Sequence, residues 1–371
     1  MKKLRLGIVG MGIMGTNHAR TIVDGKTPAV ELTAVSDAHA ATLDKAAAAF
    51  PGAKPFADYK ELIASGVCDA ILIATPHYGH PPIAIAAMEG GLDVLVEKPV
   101  AVDTLAAREM MAAADKTGRV YAVMFNERTN PCYKKVKELI ASGELGEFTR
   151  VTWIVTHWYR TQHYYDMGDW RGTWGGEGGG VLMNQCPHQL DLLTWICGLP
   201  ETVRADCHIA RHHDIEVEDD VTAVMTWKNG ASGVFIANTA EAPGTNRLEI
   251  AGTRGRIIVE EDKLTFHQLR VDTTKHLKAA KTGFERPECW EVKVPVTGAY
   301  DRHAGIMNAF ADKILNGGKL LADGSEGING LMLCNAMYLS SWTGDTVVLP
   351  IDDKKFRAKL QEKIDASKYK G

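Results

Sequence analysis

Lys98 follows the apolar run Asp93-Val-Leu-Val-Glu97 and immediately precedes Pro99, which fixes the local backbone. A lysine so placed can donate a proton or hydrogen bond to a carbonyl oxygen, or help remove a hydroxyl proton in the reverse direction. A second group lies in Gly178-Gly-Gly-Val-Leu-Met-Asn184-Gln-Cys-Pro187-His188-Gln-Leu-Asp191. Pro187 suits the first position of a helix and Gly198 its end. That puts His188 in the first turn and Asp191 one turn on, on nearly the same face. A helix N-terminus lowers an imidazole's pKa and keeps it available as a base or hydrogen-bonding partner. On residue chemistry alone, a surface lysine, a capping histidine and a solvated aspartate are equally open readings.

A third group is dense in aromatic and polar side chains: His157-Trp-Tyr159-Arg-Thr-Gln-His163-Tyr-Tyr-Asp166-Met-Gly-Asp-Trp170-Arg171-Gly-Thr-Trp174. Aromatic faces against sugar C–H surfaces, with hydrogen-bonding groups nearby, suit a carbohydrate pocket. A packed loop or an interface is the alternative. His208, His212, His213 and Asp214 read as a strand running into a solvated loop, without the cysteine pair or helical spacing of a metal site.

These groups need elements to position them. The chain opens on a short apolar strand, Lys3–Gly10, which runs into Gly10-Met-Gly12-Ile13-Met14-Gly15 and then into a helical stretch. Strand, Gly-x-Gly-x-x-Gly turn and helix is the order of a dinucleotide site. Gly10 permits the turn, Gly12 lets a pyrophosphate approach the backbone, Gly15 lets the helix pack close, and the free N–H groups of the helix start face the anion. A second strand, Val30–Ser36, ends in Asp37, 22 residues after Gly15. Its carboxylate can accept hydrogen bonds from both hydroxyls of an adenosine ribose, and it would repel a 2′-phosphate. NAD is therefore expected and NADP disfavoured.

Up to residue 125 strands and helices alternate. Helices are expected over Ala40–Phe50, within Phe56–Ala64, over His80–Gly90 and over Thr104–Thr117. Strands are expected over Ala70–Ala74, Asp93–Glu97 and Val120–Phe125. This is the doubly wound parallel pattern, with ligands at the carboxyl ends of the strands. Thr75-Pro76-His77, Glu97-Lys98-Pro99 and Asn126-Glu127-Arg128 follow three such ends and should converge on one crevice. Gly10, Gly12, Ile13, Met14, Gly15, Asp37, Thr75, His77, His80, Glu97, Lys98 and Asn126 are the expected cofactor contacts.

From Phe148 the rhythm changes to alternating strands at 151–156, 203–209, 220–227, 231–238, 247–251, 256–260 and 263–268. Asn229-Gly230 marks a hairpin, and helices are expected at 187–196, 303–316 and 325–341. The expected fold class is α/β, a Rossmann domain over 1–125, joined to an α+β domain with a large open, mainly antiparallel sheet over 126–350. A charged helix or tail occupies 351–371.

With 371 residues, 45% hydrophobic and 24% charged, the chain has the length of two globular domains. A net charge of −4 gives no case for nucleic acid or an anionic membrane. No run approaches membrane-spanning length and no signal peptide is read at the N-terminus. Seven scattered cysteines without a C-x-x-C pair fit reduced thiols and a cytoplasmic protein.

Gly10-Met-Gly12-Ile-Met-Gly15, Glu97-Lys98-Pro99 and Gly178–His188 together resemble the Gfo/Idh/MocA family of oxidoreductases. Ser340-Ser341-Trp-Thr-Gly344, followed by Val347–Pro350, resembles that family's C-terminal segment. The resemblance covers nearly the whole chain. It implies an NAD(P)-binding Rossmann domain and a second domain used for substrate and subunit contacts. It also implies oxidation or reduction of one secondary alcohol of a sugar, inositol or glycoside. Lys98 matches the lysine that binds the reacting oxygen, and His188 the histidine proposed as proton donor or acceptor. Asn184 falls where many members have Asp; it cannot ionise, and is expected to position a substrate hydroxyl. Arg171 matches a residue near cofactor or substrate, and His157, Tyr159 and Trp174 complete the expected substrate wall. Family analogy implies a homodimer or homotetramer. Two other functions fit the same residues. One is redox-neutral cleavage of a glycoside through a transient keto-sugar with retained NAD, with His157, Tyr159 or His163 as base. The other is a non-catalytic NAD-sensing regulator.

Overall fold

Apolar runs become buried strands when helices cover both faces of a parallel sheet. In the computed structural model, which describes residues 2–369, six runs do so: Leu4–Val9 (β1), Val30–Ser36 (β2), Lys54–Phe56 (β3), Ala70–Ile73 (β4), Asp93–Val96 (β5) and Tyr121–Val123 (β6). Every pairing is parallel, in the order β3-β2-β1-β4-β5-β6. Strands added to opposite sides of β1 leave a crevice at its carboxyl end, where β1 and β4 diverge. Helices Ile13–Val23 (α1), Ala40–Ala49 (α2), Tyr59–Ala64 (α3), His80–Glu89 (α4) and Thr104–Thr117 (α5) lie between the strands. Asp58 caps α3 and Asp103 caps α5, and α5 ends at Gly118 in the left-handed conformation (φ 64°). One further helix, Pro131–Ala141 (α6), goes beyond the expected rhythm. It is announced only by its start, where Asn130 accepts from the Cys132 N–H ahead of Pro131.

The second sheet contains Phe148–Val155 (β7), Thr202–Ile209 (β8), Glu218–Thr226 (β9), Ser232–Asn238 (β10), Asn246–Gly252 (β11), Gly255–Glu260 (β12), Lys263–Leu269 (β13), Cys289–Val292 (β14) and Val347–Val348 (β15). The order is β14-β13-β12-β11-β7-β10-β9-β8-β15, antiparallel except for the parallel pair β7–β10. Strands β14 and β15 extend its edges beyond the expected seven. Alternation sets its two faces: along β9, Val221, Ala223 and Met225 are buried while Thr222, Val224 and Thr226 are exposed. Asn229-Gly230 makes the β9–β10 turn, with Gly230 at φ 83°. The remaining helices are Gln162–Asp166 (α7), Pro187–Cys197 (α8), Thr273–Ala279 (α9), Arg302–Asn316 (α10), Gly327–Thr343 (α11) and Asp353–Ala366 (α12). The largely buried helices α8 and α11 pack on each other, and α11 also packs against β8 of the second sheet and against α5.

Two late helices tie the chain back. Ile306, Met307, Phe310 and Ala311 of α10 share one core with Leu4, Leu6, Ile8 and Met124, so the parallel sheet is covered on one side by residues from far downstream. The charged helix α12 buries Phe356 and Leu360, stacks Phe356 on Trp342 at 5.5 Å, and pairs Arg357 with Asp103 at 2.8 Å. Lys370 and Gly371 of the expected tail lie outside the described residues.

The segment between the glycine run and α8 is a π-helical turn, Val181–Gln185. Its start is fixed by Glu218 of β9, which is fully buried. The Gly180 and Leu182 N–H groups each donate to its carboxylate at 2.9 Å, and the Tyr338 hydroxyl donates at 2.7 Å. Three donors in an apolar setting depend on one side chain. Glu218→Ala is therefore expected to cost about 3 kcal/mol of stability. The check is urea unfolding, with a lower midpoint and an unchanged m-value.

Candidate active site

At the end of β1 the backbone itself forms a cradle. Gly10 has φ 92°, and a Cβ there would meet the Ala74 carbonyl at 2.7 Å. A Cβ on Gly15 would lie 1.8 Å from the Gly10 oxygen. Above Gly12 nothing stands within 4 Å. Two glycines are thus required by close packing and the third leaves open space over the N-terminus of α1, whose first N–H groups have no intrahelical acceptor. Ile13 and Met14 project from that turn, 63% and 37% exposed. Asp37 closes the cradle: its carboxylate accepts from the Met11 N–H at 2.8 Å and the His39 N–H at 2.9 Å. It stays half-exposed at the strand end, with lone pairs left for further donors. These features fit a dinucleotide.

The other strand ends converge on the same crevice, but not every expected contact points into it. His80 is fully buried, with its ring nitrogens 2.8 Å from the Pro99 carbonyl and 2.9 Å from that of Thr75. Neither nitrogen is left for a cofactor; His80 braces the loop after β4 against the loop after β5. Glu97 is likewise a brace. One oxygen meets His18 Nε2 at 2.6 Å and the other accepts the Lys98 N–H at 3.0 Å. Burial pushes Glu97 up, but His18 and Lys98 outweigh it and hold the carboxyl at about 2. His77 uses Nδ1 to reach the Glu177 carbonyl at 2.8 Å. Thr75 Oγ1 and Asn126 Oδ1, by contrast, are buried atoms without a protein partner, and so can receive a ligand. Of the neighbours of Asn126, Glu127 bonds Tyr300 and Arg128 turns to Asp191, so that strand end contributes one residue rather than three.

Lys98 is half-buried and its Nζ donates to the Asn184 carbonyl at 2.9 Å. Burial lowers its pKa, opposed by the charges of Glu97 and Glu177. The Asn184 side-chain amide donates to Glu177 rather than standing free. His188 sits in the first turn of α8, 9% exposed, with Nδ1 unpartnered. Its pKa falls to about 3, first through burial and then through the charge of Lys98. The helix terminus is not the main cause. Asp191 does not support His188. Both its oxygens accept from Arg128, at 2.6 and 2.8 Å, a buried pair that pins α8 to the segment after β6.

The aromatic stretch forms a stacked wall. Arg171 lies over Trp170 at 4.4 Å and Tyr164 at 4.7 Å, and donates to the Tyr164 hydroxyl at 2.9 Å. Arg160 lies over the other side of the wall, 4.9 Å from Tyr164 and 5.5 Å from Trp158. Trp158 Nε1, Arg160 Nε and Gln185 Oε1 are buried and unpartnered. Tyr159 is half-exposed, and the exposed His157 lies tilted against Trp158, ring centroids 4.5 Å apart. Trp174 is not part of the wall. It is 4% exposed and packs edge-on against Tyr338 and Trp342. The histidines downstream serve the loop: Asp219 accepts the backbone N–H groups of Arg211, His212 and His213 and also meets His213 Nδ1 at 2.8 Å. Sequence reasoning missed Glu177, Arg160, Tyr164 and His18. Only Glu177 carried a signal, as the single acid inside Gly175-Gly-Glu-Gly-Gly-Gly180.

Comparison with known proteins gives two family matches. Residues 4–125 match the oxidoreductase family with an NAD-binding Rossmann fold, GFO_IDH_MocA, and residues 133–258 match a GFO/IDH/MocA C-terminal domain. The chain is 29% identical over 198 residues to an inositol 2-dehydrogenase of Corynebacterium glutamicum, covering 53% of this chain and 55% of that one. It is 28% identical over 271 residues to the scyllo-inositol 2-dehydrogenase (NAD(+)) of Bacillus subtilis, covering 69% and 74%. The chain thus spans about half the length of the first curated relatives it matches. Among solved structures, the WlbA dehydrogenase of Bordetella pertussis, in complex with NADH and UDP-GlcNAcA, superposes with a TM-score of 0.80 at 30% identity, covering 95% of this chain and 100% of that one.

Burial holds His77 and His188 at about 3 and His303 at about 4. All three are expected to stay neutral from pH 5 to 8, with imidazole Cε1–H resonances that do not move across that range. Because these folded values lie below the unfolded 6.5, each adds stability that is complete above about pH 6.5 and is lost as pH falls through 4 to 3.

Proposed function

The chain belongs to the GFO/IDH/MocA oxidoreductase family, and on that premise we propose that it is an NAD(H)-dependent dehydrogenase acting on a secondary alcohol or ketone of a sugar, inositol or glycoside. The observation that carries the reading is that Lys98, just past the end of β5, donates to the Asn184 carbonyl in the turn ahead of α8, within electrostatic reach of His188 in that helix's first turn. NAD(H), held by the glycine cradle and Asp37, would supply the hydride acceptor or donor for the substrate carbon. The rest is done by the chain. Lys98 presents an ammonium to the substrate oxygen and stabilises the negative charge that develops there during oxidation. Neutral His188 takes the hydroxyl proton, or returns it in reduction. Its low pKa suits it to accepting a proton only as that charge develops. Asn126 and Gln185 offer acceptors to neighbouring hydroxyls, and Trp158 and Arg160 offer donors. Rings of Tyr164 and Trp170 give apolar faces for sugar C–H bonds. The two guanidiniums on that wall favour substrates that also carry an acidic group. Asp37 favours NAD over NADP.

A panel of polyols, free sugars, sugar acids and glycosides, assayed by NADH absorbance at 340 nm with cleavage products followed in parallel, tests the reading. NADH formed stoichiometrically with one substrate class is the expected result. Glycoside cleavage without net NADH overturns it in favour of redox-neutral chemistry. NAD binding with no turnover on any class favours a regulator. Asp37→Ser is expected to weaken NADH binding about tenfold through loss of charged hydrogen bonds, and to narrow the preference against NADPH. Fluorescence titration with the two reduced nucleotides checks both.

A further inference from the structure

Lys98 brings an ammonium to the crevice, and the carboxylate beside it in sequence is already committed. Glu97 spends one oxygen on His18 and the other on the Lys98 backbone. Asp191, one turn from His188, is committed to Arg128. Position 184, whose carbonyl receives the Lys98 ammonium, has a neutral side chain. The acid left is Glu177, which is 1% exposed. Its Oε2 accepts the Gly172 N–H at 2.8 Å, and its Oε1 accepts from the Asn184 amide. Burial raises the Glu177 pKa, and the two donors, with the charges of Arg171 and Lys98, oppose that rise. The local backbone explains how an acid reaches so deep. The residues on either side are glycines: a Cβ on Gly176 would strike the Trp170 carbonyl at 2.4 Å, and one on Gly178 would strike Val102 at 2.5 Å.

We propose that Glu177 is the positioning residue for Lys98: its carboxylate, acting through the Asn184 amide, fixes the turn that receives the ammonium and supplies the negative charge that keeps Lys98 protonated. The role of the ammonium toward substrate rests on the dehydrogenase reading; the link between Glu177 and Lys98 does not. Charged and titratable groups face Lys98 from several sides: Glu97 before it, His77 and His80 from the β4–α4 loop and α4, Glu177, Cys186 and His188 from the glycine turn and α8, Arg160 from the aromatic wall, and His303 from α10. Glu97 and Glu177 are the carboxylates in this set. Burial lowers the Lys98 pKa and the charge of Glu177 raises it, which agrees with the geometry.

The test compares wild type, Glu177→Gln, and the exchanged pair Glu177→Gln/Asn184→Asp, which returns one carboxylate to the same amide–acid contact. The readout is the pH dependence of Lys98 acetylation by trace acetic anhydride, followed by mass spectrometry of the Lys98 peptide. It needs no substrate, so an absence of turnover in wild type counts against the dehydrogenase reading and not against this one. Glu177→Gln is expected to lower the apparent Lys98 pKa by about one unit, which is about a tenfold rise in the free-amine fraction at fixed pH. The exchanged pair is expected to restore it. If turnover is measurable, the alkaline limb of kcat moves down with Glu177→Gln and returns in the exchanged pair. An unmoved Lys98 profile in Glu177→Gln overturns the proposal, as does failure of the exchanged pair to restore a shifted one. Should Glu177→Gln alone fail to fold, the exchanged pair decides: a wild-type Lys98 profile supports the link and a lowered one refutes it.

Discussion

The structure depends on keeping a lysine charge in a crevice partly withdrawn from water. An ammonium there costs free energy unless polar partners replace its hydration. Lys98 receives one direct acceptor, the Asn184 carbonyl, and two carboxylates within electrostatic reach. Those partners come from both halves of the fold: Glu97 from the end of β5, Asn184 and Glu177 from the glycine turn ahead of α8. The lysine is therefore a point where groups from both halves of the fold meet. His188 stays neutral in the same field, first because it is buried and then because a second positive charge next to Lys98 is disfavoured. One charge and one neutral base side by side is the division of labour that moving a proton beside an oxyanion requires.

Around that centre, most of the polar residues of the strand ends are braces. His80 joins two loops through two carbonyls, His18 holds Glu97, Glu218 caps the turn that carries Asn184, and Arg128 fixes α8 through Asp191. Each is a buried polar group satisfied by another, so geometry is held without drawing on the ligand. Some buried polar atoms without partners, on Thr75, Asn126, Gln185, Trp158, Arg160 and His188, belong to the strand ends, the aromatic stretch and the start of α8, where a substrate and cofactor would supply them; others, on Thr27, Thr33 and Trp342 among them, lie elsewhere in the fold.

The Rossmann half was legible because each of its elements has a local cause: continuous apolar strands, glycines whose Cβ positions are occupied by backbone, and an acid at the end of β2. The second sheet was legible through alternation and the Asn229-Gly230 turn. Helix α6 was not, since only its cap and three inward residues, Cys132, Tyr133 and Val136, mark it. Nor was the return of α10 to the first sheet, a contact between residues some 300 positions apart in the chain that no local pattern encodes. In the site, Lys98, His188 and Asp37 stood out by position after a strand or at a helix start. The roles of Glu97, His80, Asp191 and Trp174 depended on which neighbour each side chain found, and that is set by packing. Glu177 shows the reverse case, a residue hidden by its glycine neighbours that the fold carries to the centre.

The most direct test of this account is Lys98→Met, which keeps the length of the side chain and removes its charge. The account predicts a protein that stays folded and binds NADH at the assay temperature, melts somewhat below wild type because Glu177 and the Asn184 carbonyl lose their cation, and turns over about 10³-fold more slowly. Turnover within tenfold of wild type would contradict it, and so would a fall in melting temperature large enough to explain the lost activity, since the ammonium would then be serving the fold and not the chemistry.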